Sequence, residues 1–216
     1  MRTILSLAAG ALLSVASLHA DTVLINSDLM NESNSLTGAN VFVVPPPQWA
    51  LPPLGAAWVS YTNTGIGAGS FSPLNNTGTP VVVFTETFYL PHTQNLGWLQ
   101  VWADDTAQVF LDGLAIGPAP NFSQGICAIG PIGCEQNEYA LIFLNGLSQG
   151  SHTLSFDVFQ VGGGPMGLLY TGSIDSQPDS ISLIATPEPE DILLLLTCFG
   201  LVGLRSRRAW ASRTRG

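Results

Sequence analysis

Two adjacent carboxylates, Asp104 and Asp105, close the apolar run at residues 98–103 and precede a second run at 108–111. Calcium takes six to eight oxygens, so this pair supplies only part of a shell that loop carbonyls and acids such as Glu135 or Glu138 must complete. Asp104 and Asp105 are therefore the one candidate metal site, with calcium its ion, and no other cofactor is implied. The competing role is local and is the expectation carried forward. In it, Asp104 caps a turn by accepting backbone N–H groups while Asp105 faces water.

Cys127 and Cys134 flank Ala-Ile-Gly-Pro-Ile-Gly, a turn-forming spacer that brings two backbones within disulfide reach. A bridge between them is expected if the chain reaches an oxidising compartment. Structural zinc needs about four ligands, and no Cys or His pair lies nearby to complete a set. Cys198, in an apolar tail, reads as a small hydrophobe.

Two patterns suggest catalysis. Gly146-Leu147-Ser148-Gln149-Gly150 matches the hydrolase form Gly-x-Ser-x-Gly, with His92 and His152 as available bases. That nucleophile elbow requires a strand before it and a helix after it; here both flanks read as strands, which predicts a hairpin turn. A glycosidase needs two carboxylates facing across a cleft, and Asp104, Asp105, Asp157 and Glu86 are the candidates. No spacing among them selects a pair, so the chain is read as non-enzymatic. The alternative is a secreted hydrolase acting on exopolysaccharide.

Charge narrows the partners. The formal net charge is −9, and all 15 acids fall between Asp21 and Asp191, a span with no Lys or Arg. Nucleic-acid binding rests on cationic side chains that neutralise phosphates, so it is excluded. Cohesion must come from apolar burial and backbone ladders, since Lys and Arg salt bridges have no partner within that span.

The cations sit at the two ends. Arg2, an apolar run at 4–18 and Ala20 before Asp21 form the three-part pattern of a secretory signal, with cleavage expected after Ala20. At the other end, Pro187-Glu188-Pro189 precedes an apolar block at 192–204, then Arg205, Arg207 and Arg208. Acid before and Arg after is the orientation of a stop-transfer helix. The 13 residues of that block span only about 20 Å as a helix, a weak anchor. These three ordered features resemble the PEP-CTERM sorting signal. The resemblance implies recognition of the tail by an exosortase, a membrane transpeptidase of Gram-negative bacteria that make exopolysaccharide. It further implies transient membrane anchoring through one helix, followed by release to the cell surface or matrix.

The middle of the chain must position whatever chemistry exists. Apolar and β-branched runs recur at 22–25, 39–44, 57–61, 81–90, 98–103, 108–111, 139–144, 152–161, 168–174 and 180–184, separated by Gly, Pro and Asn clusters. Several alternate with a period of two and none keeps a helical period. The prediction is all-β, a β-sandwich or jelly roll, with residues 31–37 and 62–78 as polar loops and the prolines at 45–47 and 52–53 as a rigid connection. The expected organisation is 1–20 signal peptide, 21–185 β-sandwich and 186–216 sorting tail. Within the sandwich, residues 102–113 read as strand, Asx turn, strand and Asp-Gly turn. With 147–156 they resemble the paired strands of galactose-binding-like jelly-roll modules. The function expected is structural, adhesive or carbohydrate-binding, with exopolysaccharide as the candidate ligand.

Overall fold

A computed structural model describes residues 21–63, 78–123, 127, 130–162 and 164–178. Every regular element among the described residues is a strand. The signal segment, the strand expected at 180–184 and the tail with Pro187, Glu188, Pro189, Arg205, Arg207 and Arg208 lie outside them. No helix among the described residues is long and apolar enough to cross a membrane.

The strands are β1 (Asp21–Asn26), β2 (Glu32–Asn34), β3 (Val41–Phe42), β4 (Val59–Ser60), β5 (Val82–Leu90), β6 (Gln94–Asp104), β7 (Thr106–Leu111), β8 (Leu114–Ala115), β9 (Ala140–Asn145), β10 (Gly150–Phe159) and β11 (Gly167–Gln177). They form two antiparallel sheets. One has six strands in the order β3-β4-β11-β6-β9, with β1 also pairing β11; the other has five, ordered β2-β5-β10-β7-β8.

Period-two alternation turns one face of each sheet inward. On β5, Val82, Phe84, Phe88 and Leu90 are buried between more exposed neighbours, and β9 buries Ala140, Ile142 and Leu144 in the same way. These side chains meet Leu99, Val101, Leu154, Phe156, Leu168 and Tyr170 in one core between the sheets. The result is a β-sandwich.

A second apolar cluster lies on the outside of the six-stranded sheet. Trp102 and Leu169, alternating out of phase with the core positions, are covered by Val43, Trp49, Ala50, Trp58, Cys127 and Cys134. The proline-rich segment expected as a rigid connection thus folds back as a cover. Ala50 N–H donates to the Cys134 carbonyl at 2.7 Å, and the Trp58 indole N–H donates to the Ala50 carbonyl at 2.9 Å.

Two expectations are corrected and one holds. Residues 31–37 are not wholly loop, because Glu32–Asn34 forms β2 and pairs with β5 at the sheet edge. The Asp-Gly hairpin turn expected after the second of the paired strands is present: Asp112 and Gly113, whose φ values of 51° and 81° suit a type I′ turn, join β7 to the short strand β8. Gly146–Gly150 is not a hairpin, since β9 belongs to one sheet and β10 to the other, so the segment carries the chain between layers.

Candidate functional site

Beyond the cover, the outer face of the six-stranded sheet carries a group of exposed side chains. Outward positions on neighbouring strands fall into rows: Phe143, Trp98, Ser173 and Leu24 in one, with Leu141, Gln100, Thr171 and Asn26 on one side and Asn145, Leu96, Asp175 and Thr22 on the other. Strand spacing of about 4.8 Å makes each row about 14 Å wide, and successive rows lie about 7 Å apart. Phe143 is 69% exposed, Leu96 and Leu24 67%, Leu141 48% and Trp98 38%.

Two adjoining depressions open on this face. One, of ≈ 190 Å³, is lined by Leu96, Gly97, Trp98, Phe143, Ser173 and Asp175. The other, of ≈ 250 Å³, is lined by Asn95, Leu96, Asp175 and Gln177. Asn95 is committed to the backbone, donating to the Leu147 carbonyl at 2.8 Å and accepting from Leu147 N–H at 2.9 Å. The exposed carboxylate of Asp175 takes a hydrogen bond from the Thr22 hydroxyl at 2.8 Å.

Two glycines fix the backbone beneath Trp98. A Cβ on Gly172 would collide with the Trp98 carbonyl oxygen, and one on Gly97 would lie 2.7 Å from Ile174 Cγ1. Only glycine permits this close approach of β6 and β11.

Asp104 and Asp105 sit where the chain leaves the six-stranded sheet for β7 in the other layer. Both are buried, which corrects the expected division of roles. The Asp105 carboxylate is the cap, accepting from Val161 N–H at 2.6 Å and Gly162 N–H at 3.0 Å. Asp104 lies under Trp49, whose indole N–H donates to it at 2.8 Å. Burial, reinforced by the hydrogen bond and charge of Asp105, pushes the Asp104 carboxyl up to about 9, so it is protonated at neutral pH. The ligand atoms of Asp104, Cys127 and Cys134 lie within 4.8 Å of one another. The two cysteines stand at disulfide distance, Cα to Cα 5.2 Å, so their sulfurs face each other. Calcium would have to displace the proton of Asp104 and the two N–H donors of Asp105.

The other candidate carboxylates are scattered. Glu86 is 5% exposed and points between the sheets. Asp157 lies on the outer face of the five-stranded sheet. Opposite Glu86 in register is Glu32, whose carboxylate accepts from the Tyr170 hydroxyl at 2.5 Å, the Asn40 amide at 2.7 Å and Asp28 N–H at 3.1 Å. Glu86 Oε2 has no hydrogen-bond partner. Burial, with the charges of Glu32 and Asp28 added and Tyr170 opposing, pushes Glu86 up to about 8.

His152 is fastened at both ring nitrogens, Nδ1 to the Asp112 carboxylate at 2.7 Å and Nε2 to the Ser148 carbonyl at 2.8 Å. Its partner at Ser148 is the backbone oxygen, not the hydroxyl a nucleophile would present. Burial disfavours the imidazolium, but the Ser148 carbonyl and Asp112 outweigh it and hold His152 above its usual value.

No protein-family model matches the chain, and no curated protein matches it. Among solved structures it is similar to a family 35 carbohydrate-binding module from Clostridium thermocellum, with 13% identity and a TM-score of 0.38 over 70% of this chain and 97% of that one. It is also similar to an exo-beta-1,3-galactanase from Phanerochaete chrysosporium bound to beta-1,3-galactotriose, with 13% identity and a TM-score of 0.36 over 72% of this chain and 29% of that one.

Proposed function

We propose that this chain is an exported, exosortase-sorted surface protein whose β-sandwich binds glycan without catalysis. Its site is the part of the six-stranded sheet's outer face that carries Trp98 and Phe143. The observation that carries this reading is the cross-strand pair Trp98 and Phe143, both partly exposed at a depression that Ser173 and Asp175 also line.

A sugar ring has an apolar face of C–H bonds and a rim of hydroxyls. Adjacent aromatic side chains offer the first a stacking surface, and carboxylate, hydroxyl and amide groups hydrogen-bond the second. The core of a protein–protein interface is depleted of Asp, whereas here Asp175 lines both depressions. Export and sorting rest on the sequence of the two ends, and exopolysaccharide is the polymer an exported protein of this kind would meet.

The test is a glycan array run with the wild-type chain and with a Trp98→Ala, Phe143→Ala double variant. The reading expects glycan binding that the double variant loses while its unfolding temperature stays within a few degrees of wild type. Binding that survives the double variant overturns it. So does a wild-type chain that binds no glycan but self-associates through this face.

A further inference from the structure

We infer that the glycan taken by this face carries free amino groups; the inference rests on the proposed glycan site and names its ligand class. Between Asp21 and Asp191 the chain has 15 acids and no Lys or Arg, and its two basic side chains there, His92 and His152, each lie beside a carboxylate, Asp21 and Asp112, so an anionic polymer finds no free counter-charge among them. Uronic, sulfated and phosphorylated chains meet a like-charged surface. A cationic chain is drawn to it.

The local geometry points the same way. Asp175 stands opposite Leu96, one outward step along β11 from Ser173, which stands opposite Trp98. Trp98 and Asp175 are therefore diagonal neighbours, about 7 Å apart, and both line one depression of ≈ 190 Å³. An ammonium group placed between them meets the negative face of an indole on one side and a carboxylate on the other. Thr22 holds the carboxylate in place through its 2.8 Å hydrogen bond. A neutral acetamide at the same point would gain neither attraction.

The test uses the full-length chain at pH 6, where sugar amines are protonated, and three probes: a glucosamine hexamer, its N-acetylated counterpart and hexagalacturonate. Calorimetry should show the amine form binding about tenfold more tightly than the acetylated form, with the preference shrinking as salt is added. Asp175→Asn should erase that preference, bringing the affinities for the two glucosamine-based hexamers together. Trp98→Ala should weaken both. Equal affinity for the two glucosamine-based hexamers, tighter binding of hexagalacturonate, or a preference that survives Asp175→Asn would overturn the inference while leaving the glycan site standing. Loss of neither hexamer in Trp98→Ala would overturn the site itself.

Discussion

Replacing Glu86 by Gln should make the protein more stable at neutral pH. Glu86 is 5% exposed in the core, and its folded value of about 8 stands well above the ordinary 4.5. A carboxyl raised on folding binds its proton more tightly in the folded state. Its contribution is fully present below pH 4.5 and is lost as pH rises through about 8. Within that window each pH unit removes about 1.4 kcal/mol, so by pH 7 the loss reaches about 3 kcal/mol. Gln keeps the shape and cannot ionise, so the variant lacks this part of the slope. Urea unfolding at half-unit steps from pH 4 to 8 measures the difference directly. Asp104 and Glu32 are raised too and leave a residual slope in both proteins, which cancels in the comparison. Stability profiles that run parallel across the window would refute the reasoning.

Cys127 and Cys134 should resist thiol labelling in the native protein, and Cys127→Ser with Cys134→Ser should lower stability by about 2 kcal/mol, read by the same unfolding assay. Asp105→Ala should be more damaging than Asp104→Asn, because it orphans two backbone N–H groups at about 1–3 kcal/mol each, whereas Asp104 is already uncharged at neutral pH. The melting temperature should be the same in millimolar calcium and in excess chelator, since a turn cap does not respond to the ion. Gly172→Ala should destabilise by about 1–3 kcal/mol through its clash with the Trp98 carbonyl, and amide exchange should show the loss concentrated at the β6–β11 pairing.

The long strands were legible because their alternation is clean. The run of residues 82–90 shows its period directly, and the pairing of β7 with β10 follows the resemblance noted at 102–113 and 147–156. β2 was hidden because Glu32-Ser33-Asn34 is wholly polar, and an edge strand needs no apolar face to pair. The buried acid pair was illegible for a related reason: Glu86 occupies a core position on β5, and Tyr170, whose hydroxyl meets Glu32, comes from a strand of the other sheet. The exposed face with Trp98 and Phe143 was missed through an excess of apolar signal. Leu141-Ile142-Phe143-Leu144 and Leu96-Gly97-Trp98-Leu99 are apolar on both faces, which reads as a strand buried on both sides. Trp102 and Leu169 obey that reading, being covered by the segment that carries Trp49 and Trp58, whereas Trp98 and Phe143, farther along the same sheet, stay partly exposed. Local sequence does not encode where a distant segment stops.

We propose that glycan is held on the outer face of the six-stranded sheet, at the part that carries Trp98 and Phe143. The most direct measurement is amide chemical-shift mapping of the isotope-labelled protein titrated with its tightest array ligand. The largest shifts should fall at Leu96, Trp98, Gln100, Leu141, Phe143, Ser173 and Asp175, with Thr85, Thr87, Thr153 and Ser155 on the outer face of the other sheet unmoved. Shifts concentrated on that second face, or in the loops at the ends of the sandwich, would contradict it.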